Sequence, residues 1–139
     1  MVGIICVDKN KGMMFNNRRQ SKDRNLITHI LKKVDNNTLW ITSFSKDIFN
    51  SSEIKNIIVD DIFWEKIGKE EYCFIENIEL TYIIDKIDTL IVYNWNRAYP
   101  ADKYFDISIE NEWTIQSEEE FKGFSHEKIT EKIYIRNIR

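Results

Sequence analysis

Four basic side chains fall within one short stretch, Arg18, Arg19, Lys22 and Arg24. Such a cluster can meet an acidic protein surface or a phosphate backbone. The whole chain carries a net charge of −3, so it lacks the broad positive field that nucleic-acid binding draws on. A solvated loop is the plain reading of the cluster, and an acidic protein partner the functional one. Glu118-Glu119-Glu120 likewise reads as a solvated acidic turn. The only histidines, His29 and His126, stand far apart with no Cys or acid at zinc-like spacing. His29 lies just off an apolar helix face and reads as a surface or rim residue, so no metal is expected. Cys6 and Cys73 sit inside apolar runs and read as buried free thiols. No nucleophile motif, phosphate loop or Ser-His-Asp order stands out. The richest binding candidate is the stretch from Tyr93 to Pro100, where Trp95, Arg97 and Tyr99 supply the residue types favoured in interface hot spots.

The elements that must position these groups follow from pattern. The chain's 139 residues fit one domain with a core that needs no metal or disulfide staple. No leader-like basic-then-apolar segment opens it, and no apolar run approaches a membrane span. A soluble, cytoplasmic protein in a reducing compartment is expected. Val2–Val7 is apolar and β-branched, and it ends in the turn-like Asp8–Gly12, which reads as a buried strand. Met13 to Gln20 reads as an irregular loop. Ser21 or Asp23 can cap a helix of about three turns, with Leu26, Ile27, Ile30, Leu31 and Val34 on one face. Thr38–Ser43, Lys55–Val59, Glu71–Ile75 and Thr89–Trp95 read as further strands, and Glu76–Lys86 as a short helix. Glu112–Gln116 and Lys132–Arg136 can pair antiparallel. Strands alternating with helices, then strands alone, imply a mostly parallel sheet with an antiparallel edge.

This order resembles dihydrofolate reductase. The opening Val7-Asp8-Lys9-Asn10, the strand Asp88–Tyr93, the segment Ala101-Asp102-Lys103-Tyr104-Phe105-Asp106 and Trp113 after Glu110-Asn111-Glu112 all fall in the family's order and spacing. Lys132–Arg136 is similar to the family's last edge strand. The resemblance covers about three-quarters of the chain. It implies one three-layer α/β domain over residues 1–139, with a mostly parallel central sheet and an antiparallel C-terminal edge.

It also implies hydride transfer from NADPH to a pterin, and the residues that chemistry needs are missing. The family's pterin-binding carboxylate on the first helix falls at Leu26, with Ile30 one turn on. Asp23, three residues earlier, points elsewhere on a helix unless a local slip turns it inward. Met13–Ser21 lacks the family's Gly, Pro and Trp. The Gly-Gly pair that lets phosphates approach the backbone has no counterpart, since Cys73–Ile78 contains no glycine and places Glu76 there. The family's Gly-Arg-x-Thr reads Thr42-Ser43-Phe44-Ser45, and its threonine after the Leu-Ile-Val strand is Tyr93. The region after Val59 is shortened.

The pocket-equivalent positions are therefore Leu26, Ile30, Phe44, Ser45 and Tyr93. Arg18, Arg19, Arg24, Trp95, Arg97 and Tyr99 are the interface candidates. The expected function is a catalytically inactive reductase-like module that binds a protein, such as a phage or mobile-element factor acting on a host protein. The alternative is a divergent NADPH-dependent dihydrofolate reductase. No cofactor is expected on the first reading and NADPH on the second. A third possibility keeps a smaller, more apolar pocket, with Met13 and Met14 flexible enough to plug it.

Overall fold

The computed structural model of the protein describes residues 1–49 and 56–138. In chain order the strands and helix are β1 (Val2–Val7), β2 (Gly12–Phe15), β3 (Arg18–Arg19), α1 (Arg24–Val34), β4 (Leu39–Ile41), β5 (Ile57–Val59), β6 (Tyr72–Phe74), β7 (Thr89–Asn94), β8 (Lys103–Tyr104), β9 (Trp113–Phe121) and β10 (Ile129–Arg136). Seven of the strands form one sheet in the order β5-β4-β6-β1-β7-β10-β9. The first five run parallel, and β10 and β9 close the far side antiparallel. The expected mixed α/β sheet is what the chain builds. Of the expected strand Lys55–Val59, Lys55 lies outside the described residues.

The apolar runs read as buried strands because the sheet is covered on both faces. Ile4 points to the α1 side and Ile5 to the other, the period-two alternation of a pleated strand. On the α1 side Leu26, Ile30 and Val34 recur at four-residue spacing and meet Ile4, Phe74 and Ile91. Each such side chain contributes roughly 1.5–3 kcal/mol by leaving water. Lys32 and Lys33 occupy the last turn, where cations offset the helix dipole.

Three sequence expectations change. Glu76–Lys86 is not a helix but two single 3-10 turns, Leu80–Tyr82 and Ile84–Lys86. The segment is rich in β-branched isoleucine, and Ile83 leaves helical geometry at φ −125°. Met13 to Gln20 is not irregular. It forms a hairpin whose turn residues, Asn16 and Asn17, have φ of 53° and 60°, the two positive angles of the turn that matches strand twist. Glu118–Glu120 is not a turn. It lies within the edge strand β9, exposed, where Glu118 and Glu120 face Lys132 and Lys128.

Candidate functional site

In open α/β sheets, ligands bind beyond the carboxyl ends of the parallel strands. Here that end gathers Asp8 after β1, Thr42 to Ser45 after β4, Glu76 after β6 and Trp95 after β7. The β2–β3 hairpin folds across it. It is tied down by Asp8, whose carboxylate accepts from the Asn10 and Gly12 N–H groups, Gln20 Nε2 and the Tyr99 N–H.

The hairpin delivers Arg19 into this end of the sheet. Its guanidinium meets Glu76 with two parallel bonds, Nε to Oε1 at 2.8 Å and Nη2 to Oε2 at 2.9 Å. The same group donates to both Asp47 oxygens at 2.7 and 3.0 Å. Ser45, fully buried, donates to Glu76 Oε2 at 2.6 Å. Phe44 lies under the guanidinium at 5.1 Å. The hydrogen bond to Glu76 raises the Arg19 pKa, against a burial penalty that lowers it. Lys103 Nζ, its pKa lowered by burial, donates to the Glu76 and Ile78 carbonyls.

Beside this pair lies a cavity of ≈ 20 Å³, lined in part by Leu26, Met13, Phe74, Trp95 and Cys6. That is room for about one water molecule. Leu26 is buried and faces it. Ile30 sits one turn deeper in the helix–sheet core and does not line it. Met13 borders the cavity, whereas Met14 does not line it; both belong to the core cluster that holds Ile5 and Phe105. Burial raises both thiol pKa values; Cys73 is buried as expected, whereas Cys6, on the cavity wall, is only partly buried.

The other wall of the cavity holds a second polar cluster. Asp23 caps α1 by accepting from the Asn25 and Leu26 N–H groups. It also accepts from the Phe124 and Ser125 N–H groups at 2.9 Å and pairs with His126 Nδ1 at 2.8 Å. Burial would raise its pKa. Donors from Phe124, His126, Ser125 and Leu26 outweigh that and hold it well below the carboxylate range. His126 is buried, stacks on Trp95 at 4.6 Å, and places Nε2 3.0 Å from both Ser21 Oγ and Tyr99 Oη. Ser21, His126 and Asp23 thus stand in the order nucleophilic hydrolases use. Tyr99 shares the imidazole nitrogen that Ser21 would need, and Asp23 is committed to two backbone segments. The arrangement acts as a clamp that fastens the 122–126 turn to the start of α1.

The structure distributes the remaining site residues as follows. Tyr93 is buried and donates to Glu131 Oε2 at 2.7 Å, away from the cavity. Trp95 faces inward onto His126. Arg97 donates to the Ser125 carbonyl at 3.1 Å, so with Tyr99 it serves the clamp. Arg18 is exposed on β3. Arg24 is exposed and lies over the Phe124 ring at 4.5 Å. His29 reaches Glu131, as described below. Asp23 is readable as a cap, but its partner His126 is distant in sequence and no spacing announces it.

No family model and no curated protein sequence matches the chain. A solved structure does: dihydrofolate reductase from Enterococcus faecalis complexed with NADP(H) and RAB-propyl, at TM-score 0.68 and 12% identity, over 99% of this chain and 96% of that one. The chain has the dihydrofolate reductase fold. Sequence identity this low carries the fold and no more. Among the described residues, no helix is long and apolar enough to cross a membrane.

Proposed function

We propose that this chain is a binding protein built on the dihydrofolate reductase fold and that it performs no pterin reduction. One observation carries the reading. The Arg19–Glu76–Ser45 network, with Leu26 beside it, occupies the strand ends and leaves a cavity of only ≈ 20 Å³ between them. A carboxylate placed where a dinucleotide phosphate would approach repels it, and its Cβ and carboxyl group take the room a glycine leaves free. An aliphatic Leu26 cannot accept the paired hydrogen bonds of a pterin amino group and ring nitrogen. On this reading no nicotinamide cofactor is used.

A protein partner is supported by the exposed surface at the start of α1. Phe124 is 63% exposed, carries the Arg24 guanidinium on its ring, and has Lys22 nearby. An aromatic flanked by cations suits an acidic protein surface. The second reading, a divergent NADPH-dependent reductase, is favoured by the shared fold with an enzyme solved with NADP(H). It requires the Arg19–Glu76 pair to open.

Thermal unfolding with NADPH, dihydrofolate and an antifolate separates the two, because a ligand that binds only the folded state raises the midpoint. We expect no shift with any of them and no NADPH oxidation with dihydrofolate. A saturable rise with NADPH accompanied by turnover overturns the proposal.

A further inference from the structure

On the far side of α1 from the cavity, two carboxylates meet where sheet physics disfavours them. Glu131 on β10 and Glu119 on β9 are directly opposed across the antiparallel pair. Like charges in that position destabilise a sheet. Glu131 is 1% exposed, which makes the conflict sharper. His29 approaches the same point from α1, with Nε2 2.8 Å from Glu131 Oε2. Its ring is held flat against Phe121 at 4.2 Å and edge-on to Tyr93 at 5.7 Å. The ligand atoms of His29, Glu119 and Glu131 all lie within 4.8 Å of one another.

Charge counting shows what is lacking. Lys33, one turn after His29, is the lysine at the cluster, with Nζ 3.4 Å from Glu131 Oε1. That is longer than a charge-assisted hydrogen bond. Glu119 and Glu131 therefore oppose each other with no cation held between them at charge-assisted hydrogen-bond distance, and an ion shared by both would relieve that opposition. We propose that His29, Glu119 and Glu131 bind a divalent transition-metal ion of the zinc class. One imidazole and two carboxylates supply three donors of kinds that zinc accepts, and exposed Glu119 leaves a fourth position open to water. Calcium and magnesium are the poorer fit, because both prefer oxygen-only ligand sets. The Tyr93 hydroxyl, bonded to Glu131 Oε2, orients that carboxylate from the outer shell. Lys33 competes with the metal for Glu131, and its flexible stem lets it withdraw.

Isothermal titration of the whole chain with Zn²⁺, and absorption spectroscopy with Co²⁺, test the site. We expect one ion per chain and a Co²⁺ visible spectrum characteristic of low coordination. Glu119→Gln, an exposed change that leaves the core intact, and His29→Gln each weaken binding by at least about tenfold. Lys33→Gln tightens it by about fivefold, since it removes a repelling cation. A purely structural ion pair gives no such gain. Absence of Zn²⁺ heat and of a Co²⁺ spectrum overturns the proposal, as does binding unchanged in both His29→Gln and Glu119→Gln. The inference does not depend on the fate of the reductase cleft, and NADPH binding would leave it standing.

Discussion

Asp23 and Glu76 are two buried carboxylates on opposite walls of one small cavity, and they are satisfied in different ways. Asp23 takes its hydrogen bonds chiefly from backbone N–H groups, at the start of α1 and in the turn near Phe124. Glu76 takes its bonds from two side chains, Arg19 and Ser45. A carboxylate bound by backbone cannot be removed without stranding donors that no second mutation can delete. A carboxylate bound by side chains can be removed together with its partners. The first kind fastens architecture; the second fills space.

Substitutions can break this contrast. The largest effect is expected for Asp23→Ala, which strips the cap and strands buried N–H groups. A loss of about 4 kcal/mol is expected in urea unfolding. Glu76→Ala leaves Arg19 half-buried beside Asp47 and should cost about 2–3 kcal/mol, less than a fully enclosed pair because Asp47 reaches solvent. The double change Arg19→Met with Glu76→Leu should recover most of that loss, and a double-mutant cycle measures the recovery. If the double variant is as unstable as the single one, the two carboxylates are alike and the distinction collapses.

Gly123 offers a finer probe of the Asp23 side. A Cβ there would lie 2.7 Å from Asp23 Oδ2 and 2.8 Å from the His126 carbonyl. Gly123→Ala should therefore cost about 1–3 kcal/mol by forcing the turn off the helix cap. On the Glu76 side the smallest effect comes from Asn17→Gly, which suits the second turn position of the Arg19 hairpin and should add about 0.5 kcal/mol.

Acid sharpens the comparison further. Asp23 has a lowered pKa in the folded state, so the unfolded chain binds more protons at low pH. The stability it supplies is complete above the unfolded value near about 4 and is lost as pH falls through the folded value. In Asp23→Asn that contribution is absent at every pH. The stability gap between the two proteins should be widest near neutrality and narrow steadily below about pH 4.

Much of the scaffold was legible because it rests on local signals. The apolar run Val2–Val7, the cap at Asp23 and the spacing of Leu26, Ile30 and Val34 each depend on neighbours in sequence. The hairpin carries a local signal too, because Asn16-Asn17 is a turn pair able to adopt positive φ. The charged stretch Glu118–Glu120 misled because solvated charge looks the same in a turn and on an edge strand. The site was less legible. Leu26 and Glu76 were placed by their register. The partners Arg19 for Glu76, His126 for Asp23 and Glu131 for His29 come from segments that only the folded sheet brings together. Trp95, read as an interface residue from its type, is turned inward by the histidine on which it stacks.

The acidic fringe of β9 has a consequence for assembly. A sheet grows by adding strands at a free margin, and Glu118, Glu119 and Glu120 line one of the two margins with charged side chains, two of them paired with lysines. The opposite margin, β5, carries half-exposed Ile58 and Val59 instead. Among the described residues the two margins of the sheet therefore differ, and β9 is the less receptive of them to a further strand.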